Sequence, residues 1–140
     1  MKKLLLVLLS VAFAVGVLAA TGLAAPASQS KTVKLSIVHV QTGCHTWSTT
    51  KMQPPALSLT LRHGDRLTVG NVDVDAHKLV QVAGPKLRFA GMMMTGHGTS
   101  LVFPKAGLYR FKTVVVEMKG MPEVKTNGPD HNLILSVRAN

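Results

Sequence analysis

One cysteine, one tryptophan, one tyrosine and four phenylalanines are all that a chain of 140 residues holds of those four types. A lone cysteine excludes an internal disulfide, and with it the stapled scaffolds common among small exported proteins. Few aromatics, and no run of basic residues, leave no stacking and phosphate-tracking surface for nucleic acid. The spaced cysteine pairs of a structural zinc site are absent too. So are a Ser-His-Asp set, paired catalytic carboxylates and a phosphate-cradling glycine loop, and the chain does not read as an enzyme. Beyond the N-terminus no apolar stripe of helical period has useful length.

What is present begins with MKKLLLVLLSVAFAVGVLAATGLAAPASQS. Lys2 and Lys3 form a positive start, Leu4 to Ala20 is an uncharged apolar run, and small residues follow at Ala24 to Ala27. That order is the order of a secretory signal peptide. The run approaches the length that spans a bilayer, but the small-residue end and the polar Ser28 favour cleavage. Residues 1–27 are read as signal peptide and processing region, and 28–140 as one domain. The protein is expected to be periplasmic or secreted, with no stable membrane anchor after cleavage. A domain of roughly 113 residues is of ordinary size and buries about two-thirds of its unfolded surface.

Net charge is +10 for the whole chain, and two of the cations are Lys2 and Lys3. Basic residues occur singly, as at Lys34, Lys51, Arg62, Arg66 and Lys78. They read as a solvated basic surface, with docking onto an acidic redox or copper-handling protein as the next reading.

The mature chain is built of short alternating runs. Thr32 to Val40 places Val33, Leu35 and Ile37 on one face. Further strands are expected over Ala56–Arg62, Arg66–Asn71, His77–Val82, Thr99–Phe103, Leu108–Val116 and His131–Val137. Seven short strands with Gly, Pro and Asp between them predict an all-β, antiparallel Greek-key sandwich. Two irregular stretches, Gln41–Pro55 and Glu117–Asp130, are longer than hairpin loops and are candidates for function.

Metal-capable side chains sit in those stretches and beside them. Gly43-Cys44-His45-Thr46-Trp47 holds the only thiol next to an imidazole, and in an oxidising compartment a metal would protect that thiol. His77 follows the turn Asn71 to Ala76. Met92, Met93, Met94 and His97 lie in GMMMTGHG, and Glu117, Met118 and Met121 in VEMKGMPEV. Thiolate, imidazole and thioether suit copper better than magnesium or calcium. His39, His63 and His97 have no such companions in the sequence.

At Asn71–His77, written N-x-D-x-x-x-H, and at Ser100–Phe111, SLVFPKAGLYRF, the chain resembles the cupredoxins, small copper-binding β-sandwiches. The resemblance implies that His77 is the first copper ligand and that the 100–111 segment leads into a C-terminal ligand loop. Where that family has its cysteine, this chain has Thr113. The resemblance also implies that the first loop, the turn before His77 and the loop before the last strand share one end of the sandwich. The expected ligands are then Cys44, His45, His77 and Met118, with Glu117, Met121 and Met94 as further candidates. Trp47 would shield the site from water, and Asp73 or Asp75 would hold the His77 turn. One-electron transfer through such a site is the first expectation. Copper carriage or storage, and a metal-free binding module, are the alternatives.

Overall fold

The computed structural model describes residues 29–116, 120 and 132–140. Nine strands lie among them: β1 Thr32–His39, β2 His45–Ser48, β3 Ala56–Leu61, β4 Arg66–Asn71, β5 Ala76–Ala83, β6 Met92–Met93, β7 Gly98–Val102, β8 Gly107–Val116 and β9 Ile134–Ala139. They form a four-stranded sheet in the order β2-β1-β4-β7 and a five-stranded sheet in the order β3-β9-β8-β5-β6. The all-β sandwich expected from the alternating runs is the architecture observed. Among the described residues no helix is long and apolar enough to cross a membrane. The stretch read as a signal peptide, residues 1–27, falls outside the described residues.

The sandwich follows from period-two alternation. On β8 the exposed and buried positions alternate, with Tyr109, Phe111 and Thr113 turned inward. On β1 and β4, Leu35, Ile37, Leu67 and Val69 are buried, and they meet Leu79, Phe111, Leu135 and Val137 of the other sheet in one cluster. Burying each large apolar side chain contributes roughly 1.5–3 kcal/mol. Phe103 and Tyr109 meet edge to face, 5.0 Å between centroids. The Tyr109 hydroxyl donates to the Lys105 carbonyl at 2.7 Å, closing the turn into β8.

Three features depart from the sequence reading. Two pairings are parallel rather than antiparallel: β1 with β4, and β3 with β9. Alternation specifies which face a residue occupies, not which strand lies beside it. β2 falls inside the stretch read as a loop, because His45, Thr46 and Trp47 are all buried and show no alternation. β6 is a two-residue strand, too short to leave a periodic signal. The last strand runs Ile134–Ala139.

Because β1 and β4 are parallel, their C-terminal ends lie together. The start of β2 faces the end of β1, with His45 opposite His39. β4 runs into a turn, residues 72–75, that leads to His77 on β5. That end of the sandwich carries His39, His45 and His77.

Candidate metal centre

The inward row of β1 runs Val33, Leu35, Ile37 and, by the same period of two, His39. Residues 40–44 then reverse the chain. Gly43 and Cys44 both have positive φ, 80° and 62°, and Cys44 is the one described non-glycine residue that does. The His45 N–H donates to the Gly43 carbonyl at 2.7 Å, so Cys44 sits at the centre of a three-residue γ-turn. The Val40 N–H donates to the Cys44 carbonyl at 2.8 Å and closes the loop. A side chain in this backbone region costs roughly 1–2 kcal/mol. Strain of that kind persists where the surroundings impose it, as at ligand clamps. The turn leaves Cys44 half-buried and directs His45 into the interior.

The second contribution comes from the turn between β4 and β5, built around Asn71. Its Nδ2 donates to the carbonyls of Asp75 (2.7 Å) and Met93 (2.9 Å). Its Oδ1 accepts the Asp73 N–H at 3.0 Å. The turn is therefore tied to itself and to β6, and it holds Asp73 fully buried.

Asp73 is the hub. Its Oδ1 accepts the Val74 N–H at 2.7 Å and lies 3.2 Å from His39 Nδ1. Its Oδ2 lies 2.7 Å from His77 Nε2 and 3.7 Å from His45 Nδ1. The rings of His45 and His77 meet edge to face, 4.8 Å apart. Burial pushes the Asp73 carboxyl up, but the His77 hydrogen bond, the Val74 N–H and the attraction of His77 and His45 outweigh it, so it is held below the usual carboxylate value.

The tautomer of His77 follows. An ionised carboxylate only accepts hydrogen bonds, so the 2.7 Å contact puts a proton on His77 Nε2. A neutral ring then presents its lone pair at Nδ1. That atom is buried and has no hydrogen-bond partner among the described residues. An unsatisfied buried acceptor costs roughly 1–3 kcal/mol, and a metal ion would satisfy it. One donor atom from each of His45, Asp73 and His77 lies within 4.8 Å of the others, and all three residues are buried. Imidazole held by a carboxylate through its far nitrogen is the usual dress of a metal-binding histidine. The donor set fits a borderline transition-metal ion such as copper.

Of the sequence-predicted residues, His45, Asp73 and His77 come together, with Asp73 in direct contact rather than at a distance. Cys44 precedes His45 at the loop tip and is not one of the trio. Trp47 is buried on β2, two residues beyond His45, and its Nε1 donates to the carbonyls of Pro55 (3.0 Å) and Ile134 (3.1 Å). Asp75 is half-buried and contributes a backbone carbonyl to the Asn71 anchor. Met94 is exposed, whereas Met93 is buried and sits directly across from His77. Glu117, Met118 and Met121 lie outside the described residues. Thr113 is buried on β8, opposite Leu79. His39, which the sequence left without companions, stands beside Asp73. Its signal was the period-two row of β1, read one step further.

No family model matches the chain, and no curated protein does. The solved structures it resembles include a purple cupredoxin and several amicyanins. A purple cupredoxin from Nitrosopumilus maritimus is 16% identical, with 77% of this chain and 99% of that one covered at a TM-score of 0.49. Amicyanin from Paracoccus versutus is 15% identical, with 81% and 85% covered at 0.45. An amicyanin variant in its Cu(I) form is 19% identical, with 82% and 87% covered at 0.44.

Proposed function

We propose that this chain is an exported copper-binding, cupredoxin-like protein whose centre is assembled from the first hairpin loop and the turn before β5. His45 and His77 are its imidazole ligands. The observation that carries the reading is the buried Nδ1 of His77, without a partner among the described residues, with its Nε2 fixed to Asp73. Cys44 supplies a thiolate from the strained turn, and Met118 a weak axial thioether. Glu117, Met121 and Met94 are further donors within the same proposal.

Copper bound there would supply a one-electron couple. The chain's own part is to hold the ligands. Asp73 fixes the His77 tautomer and ring plane, the Asn71 anchor fixes Asp73, and buried Trp47 with its neighbours keeps water from the inner side. A frame set by backbone pairing resists rearrangement, which suits electron transfer to an acidic redox or copper-handling partner outside the cytoplasm. Copper carriage is the second reading, favoured by the exposed thioethers of Met92 and Met94.

The role we propose is binding rather than enzymatic.

The test is titration of the reduced protein with Cu(II) and with Cu(I), followed by visible absorption and electron paramagnetic resonance. The proposal expects one copper per chain, lost in His77→Ala, and an intense thiolate-to-copper band lost in Cys44→Ser. An intense band with a reversible potential supports electron transfer, and tight colourless Cu(I) binding supports carriage. Absence of stoichiometric binding of either ion overturns the copper reading.

A further inference from the structure

We propose that the outward face of the five-stranded sheet docks on the surface of an anionic phospholipid bilayer. The inference does not rest on the copper reading.

The register of the strands arranges this face in cross-strand rows. At one end Met92, Lys78 and Val114 lie side by side. Next come Val80, Lys112 and Ile134. Then Arg110 lies between Ala83 and Ser136, beside the bulge at Gln81 to Ala83 that carries Val82. At the far end Leu108 pairs with Arg138. Each row holds one cation, and successive rows are roughly 7 Å apart along the strands. All four cations are exposed. So are Met92, Val82, Leu108, Val114 and Ile134, each at least 39% accessible.

No carboxylate stands in any of these rows. Among the described residues the acids are Asp65, Asp73 and Asp75; Asp65 and Asp73 are buried, and Asp75 belongs to the turn before β5. Four of the singly spaced basic residues are thus set by period-two geometry on one side of one sheet.

That pattern matches a bilayer better than a protein. A protein surface presents charges of both signs and its own relief. A layer of phosphates over acyl carbon is uniform, and it rewards evenly spaced cations whose alkyl stems lie among aliphatic side chains. Each Lys or Arg near an anionic leaflet contributes about 1 kcal/mol, and the contribution falls with salt. Four cations with the intervening aliphatics give reversible, peripheral attachment.

The experiment is co-sedimentation of the protein, as exported by the expressing host, with vesicles of phosphatidylcholine alone and of phosphatidylcholine with phosphatidylglycerol. The variant Arg110→Glu/Lys112→Glu is compared with Lys34→Glu/Arg66→Glu, which makes the same charge change on the other sheet. Both share the N-terminal segment, so its contribution cancels between them. We expect binding to the anionic vesicles that weakens with added salt and falls by roughly tenfold or more in the first variant, and much less in the second. Circular dichroism confirms that both variants are folded. A second pair, Leu108→Ser and Val102→Ser, reads the aliphatic contribution in the same way. Equal loss in both charge variants would reduce the effect to net charge and overturn the proposal. No binding to anionic vesicles at low salt would overturn it as well, and so would binding only to an acidic polypeptide such as poly-glutamate.

Discussion

Cys44 occupies a backbone conformation that glycine would occupy without penalty, and this makes an unusual stability prediction. Its φ is 62°, and the γ-turn bond from His45 N–H to the Gly43 carbonyl holds it there. Any side chain pays for that φ through contact between Cβ and the backbone, roughly 1–2 kcal/mol. Glycine escapes this cost but loses more entropy on folding, roughly 0.5–1 kcal/mol relative to alanine. Alanine keeps the strain and removes only the sulfur. The difference between Cys44→Gly and Cys44→Ala should therefore be about 1 kcal/mol in favour of glycine. The assay is urea unfolding of the metal-free protein under reducing conditions, followed by Trp47 fluorescence. With a slope typical of a small domain, the glycine variant should have the higher midpoint by roughly half a molar or more. Both variants should lose any thiolate-to-copper band, so the difference between them reads the backbone alone. Equal midpoints, or a more stable alanine variant, would refute the claim that the turn strains Cys44.

Asp73→Asn keeps the shape of the hub and removes its charge, so the charge-assisted bond to His77 becomes a neutral one. It should destabilise the metal-free protein by roughly 1–2 kcal/mol at neutral pH and weaken copper binding by about tenfold to a hundredfold; unfolding and a chelator competition measure the two effects. Trp47→Phe leaves the Pro55 and Ile134 carbonyls without their indole donor and should cost roughly 1–3 kcal/mol in urea unfolding followed by circular dichroism, with the copper spectrum retained. Asp65 is held below its usual carboxylate value by the N–H groups of Lys31 and Arg62. A depressed carboxylate stabilises the fold above its ordinary value, and the stabilisation is lost as pH falls through the lowered one. Stability should therefore drop below about pH 4, and Asp65→Asn should flatten that part of the profile while lowering the plateau above it.

Period two made the core legible. Val33, Leu35 and Ile37 were placed on one face by alternation alone, and the strand bounds of β4 were met residue for residue. Where alternation failed, so did the reading. β2 has three consecutive buried residues, because His45 and Trp47 face the core while Thr46 is covered and bonds the Gln53 carbonyl at 2.7 Å. The parallel pairings of β1 with β4 and β3 with β9 depend on contacts across long stretches of chain. No local pattern in the sequence encodes them.

The centre was legible in its parts and not in its arrangement. His45 and His77 stood out by motif and position, and Asp73 as a support for the turn. That Asp73 lies among three imidazoles depends on β1 and β4 ending together, which is a matter of register. The same register explains why His39 escaped notice, since its partner across the hairpin is His45 and its nearest carboxylate is 34 residues away in sequence. Burying one carboxylate without compensation would cost several kcal/mol. The chain meets that cost with one backbone N–H and imidazole nitrogens on both carboxylate oxygens. A purely structural histidine–aspartate pair would need one such partner, and it would give no reason for His77 to hold its second nitrogen buried and unbonded among the described residues. The excess of nitrogen around a single buried carboxylate is the feature on which the proposed metal site rests.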